Sequence, residues 1–211
     1  MPKIVDHDER RDEIAIAACR AIAKRGLESV TLSDIAKEAG RTTGMLAHYY
    51  DNKWDLILGA LRFMHVRLEQ RLSQKLNGKT TLLELLQDAL PTNAEHRAEA
   101  AAWLAFWTFA ANRPDLLKRS AQIHSDWRAL LKECLLRTQK DAKTWSDDAM
   151  EHVVSSIMLF TDGLYVKAIT RPAMYTPAMQ VALMGEHLDA VLAWVRSKRP
   201  RPRRRQPKRR A

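Results

Sequence analysis

The stretch that decides the fold runs from residue 31 to residue 53 and reads TLSDIAKEAGRTTGMLAHYYDNK. Four of its apolar side chains recur at the spacing of one helical face, and they are Leu32, Ile35, Ala36 and Ala39. This spacing predicts a short amphipathic helix. A second short helix is predicted after a tight turn, and the stretch closes with the start of a third.

Local signals predict where these helices begin and end. Asp34 follows Thr31 at the spacing of a capping box, so the first helix should begin there. Gly40 suits the left-handed position that ends a helix. Thr42 is a second candidate N-cap, ahead of a helix predicted over residues 43–50. A helix of about two turns, held at a fixed angle by a neighbour, has the dimensions needed to enter a DNA major groove.

This segment resembles the helix-turn-helix of the tetracycline-repressor family. The resemblance is carried by Ile35, Ala36, Ala39, Gly40, Thr43, Gly44, His48, Tyr49, Tyr50, Lys53 and Leu56. Two positions depart from the family pattern, because Arg41 replaces a small apolar turn residue and Ala47 replaces a tyrosine. We expect Arg41 either to lay its aliphatic stem over the small core or to reach a phosphate.

The resemblance implies a set of DNA contacts. Thr43, Gly44 and Met45 lie at the N-terminus of the second helix, where base edges are read. Other side chains would hold phosphates and so fix the register. The complete candidate DNA-binding set is Thr31, Ser33, Arg41, Thr42, Thr43, Gly44, Met45, His48, Tyr49 and Lys53.

The rest of the chain favours an all-α fold of about nine helices. The 211 residues include only 7 Gly and 8 Pro and show no sustained alternation of apolar and polar residues. Helix starts are predicted from capping boxes of Thr81 with Glu84 and of Thr92 with Glu95, from Pro114 at a first helical position, from a cap within residues 144–147, and from Thr176 before Pro177. We therefore predict a helix-turn-helix domain over residues 1–52, called the head below, and a helical ligand-binding and dimerisation domain over residues 53–195, called the body.

The positive charge is concentrated in the last sixteen residues. The formal net charge is +10, and residues 196–211 contain ten Lys or Arg and no acid, so the remainder is formally neutral. Such a run repels itself and buries no core, which predicts a disordered basic tail. It serves either as a solubilising segment or as a clamp on nucleic acid that does not read sequence.

Other classes of site lack sequence support. Cys19 and Cys134 lie apart, outside any CxxC motif, and are expected to be reduced and partly buried. The seven histidines form no metal-binding motif, and no nucleotide-binding or catalytic motif is present. The longest uncharged apolar run, residues 100–111, is shorter than a membrane span of about 20 residues. We therefore predict a cytoplasmic protein with no catalytic activity, cofactor, metal or membrane partner.

The body resembles the branch of the same family formed by choline-responsive repressors of glycine-betaine synthesis. The resemblance is carried by AWLAFW at residues 102–107, RPDLL at 113–117 and DGLY at 162–165. The aromatic stripe within residues 100–111 is either plain core or part of a cage, because ring faces hold quaternary ammonium groups. Asp162 is either bonded within the protein, for example to Lys167, or faces a cationic ligand. The candidate ligand-binding residues are Trp103, Phe106, Trp107, Trp127, Asp162 and Tyr165.

The eighth and ninth predicted helices carry long apolar faces, such as Val153 to Leu164 on one and Val181 to Val195 on the other. Val191 is expected to face outward, toward a partner chain. The resemblance implies that these helices form a homodimer, which suits an operator with two half-sites. The resulting hypothesis is a dimeric repressor released from double-stranded DNA by a small molecule, choline or a related quaternary amine. The alternatives are an architectural nucleic-acid-binding protein acting through the tail and a helical enzyme with an apolar pocket, for which His124 is a candidate base.

Overall fold

The computed structural model describes residues 7–76 and 79–198, and helices joined by short loops make up this part of the chain. In this part of the chain there are nine α-helices and two short 3-10 helices, at Gln87–Ala89 and Ala142–Thr144. The α-helices are α1 His7–Arg25, α2 Leu32–Glu38, α3 Thr43–Ala47, α4 Lys53–Lys75, α5 Leu82–Leu86, α6 Ala94–Ala110, α7 Pro114–Thr138, α8 Asp147–Thr170 and α9 Pro177–Ser197. The predicted all-α fold is confirmed.

The caps of the helix-turn-helix are those that the sequence predicts. Thr31 and Asp34 form the reciprocal capping box at the start of α2. The Thr42 hydroxyl accepts from the Met45 amide at the start of α3. Gly40 has a φ of +63°, the left-handed conformation that turns the chain from α2 toward α3.

Helix α3 is shorter than predicted, because it ends at Ala47 and not at Tyr50. After Ala47 the backbone tightens, and the amides of Tyr49 and Tyr50 both donate to the Leu46 carbonyl. The Asn52 side chain then caps α4 by accepting from two backbone amides, at 3.0 Å each. The chain must leave the α3 direction before that cap, which shortens α3.

Two of the predicted boundaries are corrected. The N-cap of α6 is Asn93 rather than Thr92, because the Asn93 carboxamide oxygen accepts from the His96 amide at 2.8 Å. At the other end of the body, α9 continues to Ser197, so residues 196 and 197 do not belong to a disordered tail. Arg196 is held there by Gln139 at 3.0 Å and Asp141 at 3.4 Å. The remaining predicted tail, residues 199–211, lies outside the described residues.

The buried side chains form two clusters. The first joins α1, α2, α3 and the first half of α4 to buried residues of α6 and α7, among them Ala102, Phe106 and Ile123. The second holds the rest of the body together, with α5, α7, α8 and α9 as its main contributors. The first cluster is therefore shared by the head and by α6 and α7 of the body, so that α6 packs directly against α1.

Helices α8 and α9 direct most of their apolar side chains inward. Val191 is only 6 % exposed, which corrects the expectation that it faces outward. Apolar side chains also remain outside, with Leu159 72 % and Trp194 37 % exposed. By length and composition α8 alone among the described helices would suit a membrane span, but its inner face packs into the helical body.

The close packing around Gly59 predicts that a larger side chain at this position destabilises the head. A Cβ added at Gly59 would lie 2.6 Å from the ring of Tyr50, which packs against the first core cluster. We expect Gly59→Ala to lower the free energy of unfolding by about 1–3 kcal/mol, despite the better helix propensity of alanine. Gly163→Ala, where nothing lies within 4 Å, is the matched control and should be neutral or stabilising. Denaturant unfolding of both variants measures this, and equal stabilities would contradict it.

Candidate functional site

The N-terminus of α3 is an exposed surface formed by small side chains. Thr43 and Gly44 are exposed, Met45 is half-buried, and a Cβ added at Gly44 would meet nothing within 4 Å. Behind this surface Leu46 is fully buried and fixes α3 to the head. The arrangement presents the predicted base-reading positions to solvent on a rigid support.

The predicted phosphate contacts differ in how strongly the protein already holds them. Ser33 is exposed, Tyr49 is half-buried against the first core cluster, and Thr31 is engaged in the α2 capping box. His48, another candidate DNA contact, is exposed. The Lys53 ammonium donates to the Glu28 carbonyl at 3.1 Å and lies 5.2 Å from the Trp54 ring centroid. Burial lowers the pKa of Lys53, although a neighbouring glutamate opposes the shift. Lys53 thus helps to hold the head together, and its cation lies at the head surface.

Arg41 is held by an ion pair with the first helix. Its guanidinium pairs with Glu13 of α1 at 3.0 Å, and the same carboxylate oxygen accepts from Arg10 at 2.7 Å. The pair is partly exposed, so it contributes little stability. It ties the turn between α2 and α3 to the first helix.

A cavity of about 460 Å³ lies in the body, enclosed by α4, α6, α7, α8 and the 3-10 helix after α5. Five of the six predicted ligand-binding residues line it, and they are Trp103, Trp107, Trp127, Asp162 and Tyr165. The Trp103 and Trp107 rings are 5.7 Å apart at the centroids and form an aromatic wall on α6. The tertiary structure therefore brings together side chains from three helices that are distant in sequence.

The prediction that Phe106 binds the ligand is corrected, because its side chain does not line the cavity. Its side chain is fully buried in the first core cluster, together with residues of α1 such as Ile14. The helical period explains the difference: Trp103 and Trp107 are one turn apart, whereas Phe106 is rotated toward the head. An edge-to-face contact with Trp103, with centroids 6.5 Å apart, connects Phe106 to the cavity wall.

Asp162 lines the cavity without a protein partner. Neither Lys167 nor any other residue within 7–76 and 79–198 forms a hydrogen bond or ion pair with its carboxylate, so the expected internal bond is absent there. Burial raises its pKa to about 6, and no neighbouring cation offsets the shift. A half-buried carboxylate in this state favours a cationic group from outside the protein.

Further polar residues in the cavity were missed by sequence reasoning. Glu99 is half-buried, its pKa is raised by burial, and its contact with Arg71 is long at 3.9 Å. His65 and His96 also line the cavity, and burial lowers the pKa of each. Glu99 is the last charged residue before the apolar run at residues 100–111, which was the available signal. The phenol of Tyr165 donates to the Ala89 carbonyl at 2.8 Å, which orients its ring.

Direct contacts connect the cavity walls to the helix that leaves the head. Trp54, in the first turn of α4, stacks on Phe109 of α6 with ring centroids 4.4 Å apart. Arg119 of α7 pairs with Asp55 of α4 at 2.9 Å. Since α6 and α7 both line the cavity, a ligand that shifts either helix acts on the start of α4.

Two family models match the chain over most of its length. Residues 14–60 match bacterial regulatory proteins of the tetR family, and residues 78–193 match the C-terminal domain of BetI-type transcriptional repressors. The chain belongs to the tetR family and has a BetI-type C-terminal domain. It is therefore a DNA-binding transcriptional regulator and not an enzyme. The resemblance stated from the sequence is confirmed, and the enzyme alternative with His124 as base is wrong.

Relatives of this tetR-family regulator extend over nearly the whole chain. It is 29 % identical to the HTH-type transcriptional regulator PksA of Bacillus subtilis, covering 90 % of this chain and 94 % of the relative. It is 28 % identical to the HTH-type transcriptional regulator BetI of Rhizobium meliloti, covering 91 % and 94 %. A regulator from Saccharomonospora viridis, solved in complex with choline, has the same fold with a TM-score of 0.70 and 23 % identity, covering 87 % of this chain and 97 % of that one.

Proposed function

We propose that this tetR-family regulator is a dimeric repressor that a small cation, such as choline or a related quaternary amine, releases from its operator. The observation that carries the proposal is the cavity, in which the unpaired Asp162 carboxylate faces a space walled by Trp103 and Trp107. The exposed N-terminus of α3 supports the DNA-binding half. A regulator that binds chromosomal DNA works in the cytoplasm.

The ligand class follows from the chemistry of the cavity. A quaternary ammonium group has no N–H to donate, so ring faces and a carboxylate are its suitable partners. Each ring contact is worth about 0.5–2 kcal/mol, depending on how far the cation is desolvated. The choline bound in the S. viridis regulator shows that a related fold holds this class of ligand, and the present cavity supplies the groups for it.

The dimer would place two α3 helices on two operator half-sites. Leu159 and Val166 lie on the outer face of α8, and Trp194 lies on the outer face of α9. These apolar side chains, exposed in one protomer, support a self-complementary interface between the two helices and their symmetry mates. Rotation of one head relative to the other would then change the spacing of the two reading helices.

Release would use the shared core. A ligand that packs between Trp103 and α7 would shift α6, whose Phe106 lies among the side chains of α1. A shift of the population ratio between the released and the DNA-binding conformations from 1:99 to 99:1 requires the ligand to bind one of them about 5.5 kcal/mol more tightly than the other. A millimolar ligand supplies only about 4 kcal/mol in total, so two ligands per dimer would be needed for a complete switch.

Fluorescence anisotropy with tiled duplexes from the DNA upstream of the gene tests the proposal. One duplex should bind in the nanomolar range, and random DNA should bind at least 1,000-fold more weakly, within the usual range of specificity ratios. Added choline or betaine, but not an equal concentration of sodium chloride, should release that duplex. Binding that is indifferent to sequence would reject the regulator model, and operator binding unaffected by any quaternary amine would reject the ligand class.

Gly44→Ala separates DNA contact from folding. Because nothing lies within 4 Å of the added Cβ, the protein should fold normally, and the free energy of unfolding should rise by up to about 1 kcal/mol. The methyl group would project toward the DNA, so operator affinity should fall at least tenfold while thermal stability is retained. Unchanged operator affinity in Gly44→Ala would place the DNA elsewhere.

A further inference from the structure

The cavity extends further than a small quaternary amine requires. Glu99, Trp103 and Trp107 occupy successive turns of α6 along one wall, which spans about 12 Å at the rise of an α-helix. Arg71 and Met64 mark a similar length on α4 along a second wall. The volume of about 460 Å³ falls in the range of roughly 300–1,000 Å³ that is typical of pockets for drug-sized ligands.

The two ends of the cavity differ in chemistry. Glu99, Asp162 and Tyr165 line the cavity at one end, near Arg71 and the Ala89 carbonyl that Tyr165 donates to. Burial raises the pKa of the Tyr165 phenol, and the two carboxylates act in the same direction. At this end Arg71 reaches Glu99 only at 3.9 Å. The acidic end therefore has room and charge for a cationic group.

The opposite end is lined by more apolar side chains, beside the polar side chains of Ser120 and His124 on α7. Trp107 lies near the C-terminus of α6, and Met64 is one of the buried residues of the cluster shared with the head. Leu117, in the first turn of α7, lines the same cavity and is 43 % exposed, which places it at the rim. A ligand confined to the acidic end would leave this apolar wall without a partner.

We propose that the effector is an elongated amphipathic cation. Its charged group lies between Asp162 and Glu99, and an apolar arm extends along Trp103 and Trp107 toward Leu117. This inference rests on the proposed function, because it assumes that a cation in this cavity controls DNA binding. The arm would contact Trp103, whose ring touches Phe106 in the core shared with α1. A cation without an arm contacts the same aromatic wall over a shorter length.

The arm predicts a dependence of affinity on chain length. Each buried methylene strengthens binding by about fourfold. In titration calorimetry of the full-length protein, alkyltrimethylammonium ions from methyl to octyl, kept below the concentration at which they form micelles, should follow this trend. The gain should stop when the arm passes Leu117 into solvent. Neutral alcohols with the same arms should bind at least tenfold more weakly.

Paired variants test the contributions of the charged group and of the apolar arm to effector affinity separately. Asp162→Asn should weaken every member of the series by the same factor and keep the dependence on length. Trp107→Ala should weaken the long members more than tetramethylammonium, and Leu117→Ser, at the rim, should weaken only the long members and serves as the milder alternative if Trp107→Ala folds poorly. Val66→Ala, on the exposed side of α4 outside the cavity, is the matched control and should change neither.

The outcomes distinguish this inference from the function beneath it. Equal affinity for tetramethylammonium and hexyltrimethylammonium would overturn the elongated effector, while operator release by choline in the anisotropy assay would still support the repressor model. Neutral alcohols that bind as well as the ammonium ions would overturn the inference that the effector carries a cationic group. A steep dependence on chain length, lost in Trp107→Ala and retained in Asp162→Asn, is the expected result, whether or not the ions release DNA.

Discussion

Leu159→Glu is expected to convert the protein into a monomer that folds normally but binds its operator at least about 100-fold more weakly. Leu159 is 72 % exposed on α8, so the change removes almost no packing within the protomer. In a dimer the same side chain would be buried against its symmetry mate, where two glutamates would face each other without partners. Binding of two linked heads to two half-sites gains about 10²–10⁴ in affinity over one head, and this gain would be lost.

Light scattering for mass and anisotropy for operator affinity measure this prediction together. Circular dichroism and thermal unfolding should match the wild type, because substitutions at exposed sites usually change stability by less than about 0.5 kcal/mol. Val66→Glu introduces the same charge at an exposed apolar site on α4 and should remain dimeric. A dimeric Leu159→Glu variant with normal operator affinity would show that the protomers associate through another surface.

Asp162→Asn is expected to make the protein more stable and at the same time nearly insensitive to its effector. Burial raises the pKa of Asp162 from its ordinary value of 3.8 to about 6, so the ionised carboxylate makes folding less favourable near neutral pH. The neutral amide removes that cost, and the melting temperature should rise at pH 7. Removal of one partner from a desolvated charge pair typically costs about 2–5 kcal/mol, so affinity for a cationic effector should fall at least about 30-fold.

The pH dependence provides a second measurement of the same group. The folded protein binds this proton below pH 6 and the unfolded chain only below about 3.8, so the wild type gains stability as the pH falls from 6 toward 4. The stability difference between Asp162→Asn and the wild type should therefore shrink over that interval. Affinity of the wild type for a quaternary amine should decline below pH 6, and the raised pKa of Glu99 acts in the same direction.

A cavity variant that keeps the charge is the control. Thr161→Ser, next to Asp162 on the cavity wall, removes one methyl group and should change effector affinity by less than about fivefold. A melting temperature that falls in Asp162→Asn would mean that the carboxylate has a structural role. Unchanged affinity for every cation tested would remove Asp162 from the binding site.

The helix-turn-helix was largely predictable because its signals are local. Thr31 with Asp34, the glycine at position 40 and the cap at Thr42 each act on backbone groups within a few residues, and all three appear in the structure. The end of α3 was less predictable, since the competing cap at Asn52 decides where the chain turns. A choice between two adequate caps, as between Thr92 and Asn93, depends on the path of the preceding chain.

The cavity was predictable only in part. The tryptophans and Asp162 were identifiable as unusual residues in apolar helices, and the structure brings them to one space. Phe106 is also an aromatic residue of the apolar helix α6, like the two tryptophans, yet its side chain points into the core between head and body. Arg71 and His65 gave no comparable signal, because a polar side chain at the edge of a cavity looks like a surface side chain in sequence.

The sequence by itself determined the helices, most of their caps and the family, because these depend on periodicity and on contacts between near neighbours in the chain. Only the tertiary structure decided which face of each helix is buried. It turned Val191 inward and Leu159 outward, turned Phe106 away from the cavity, and left the Asp162 carboxylate facing that cavity without a partner. The physical reason is that burial and desolvation arise from neighbours supplied by distant segments, and the rotation of a helix about its axis decides which side chains face the core and which the cavity.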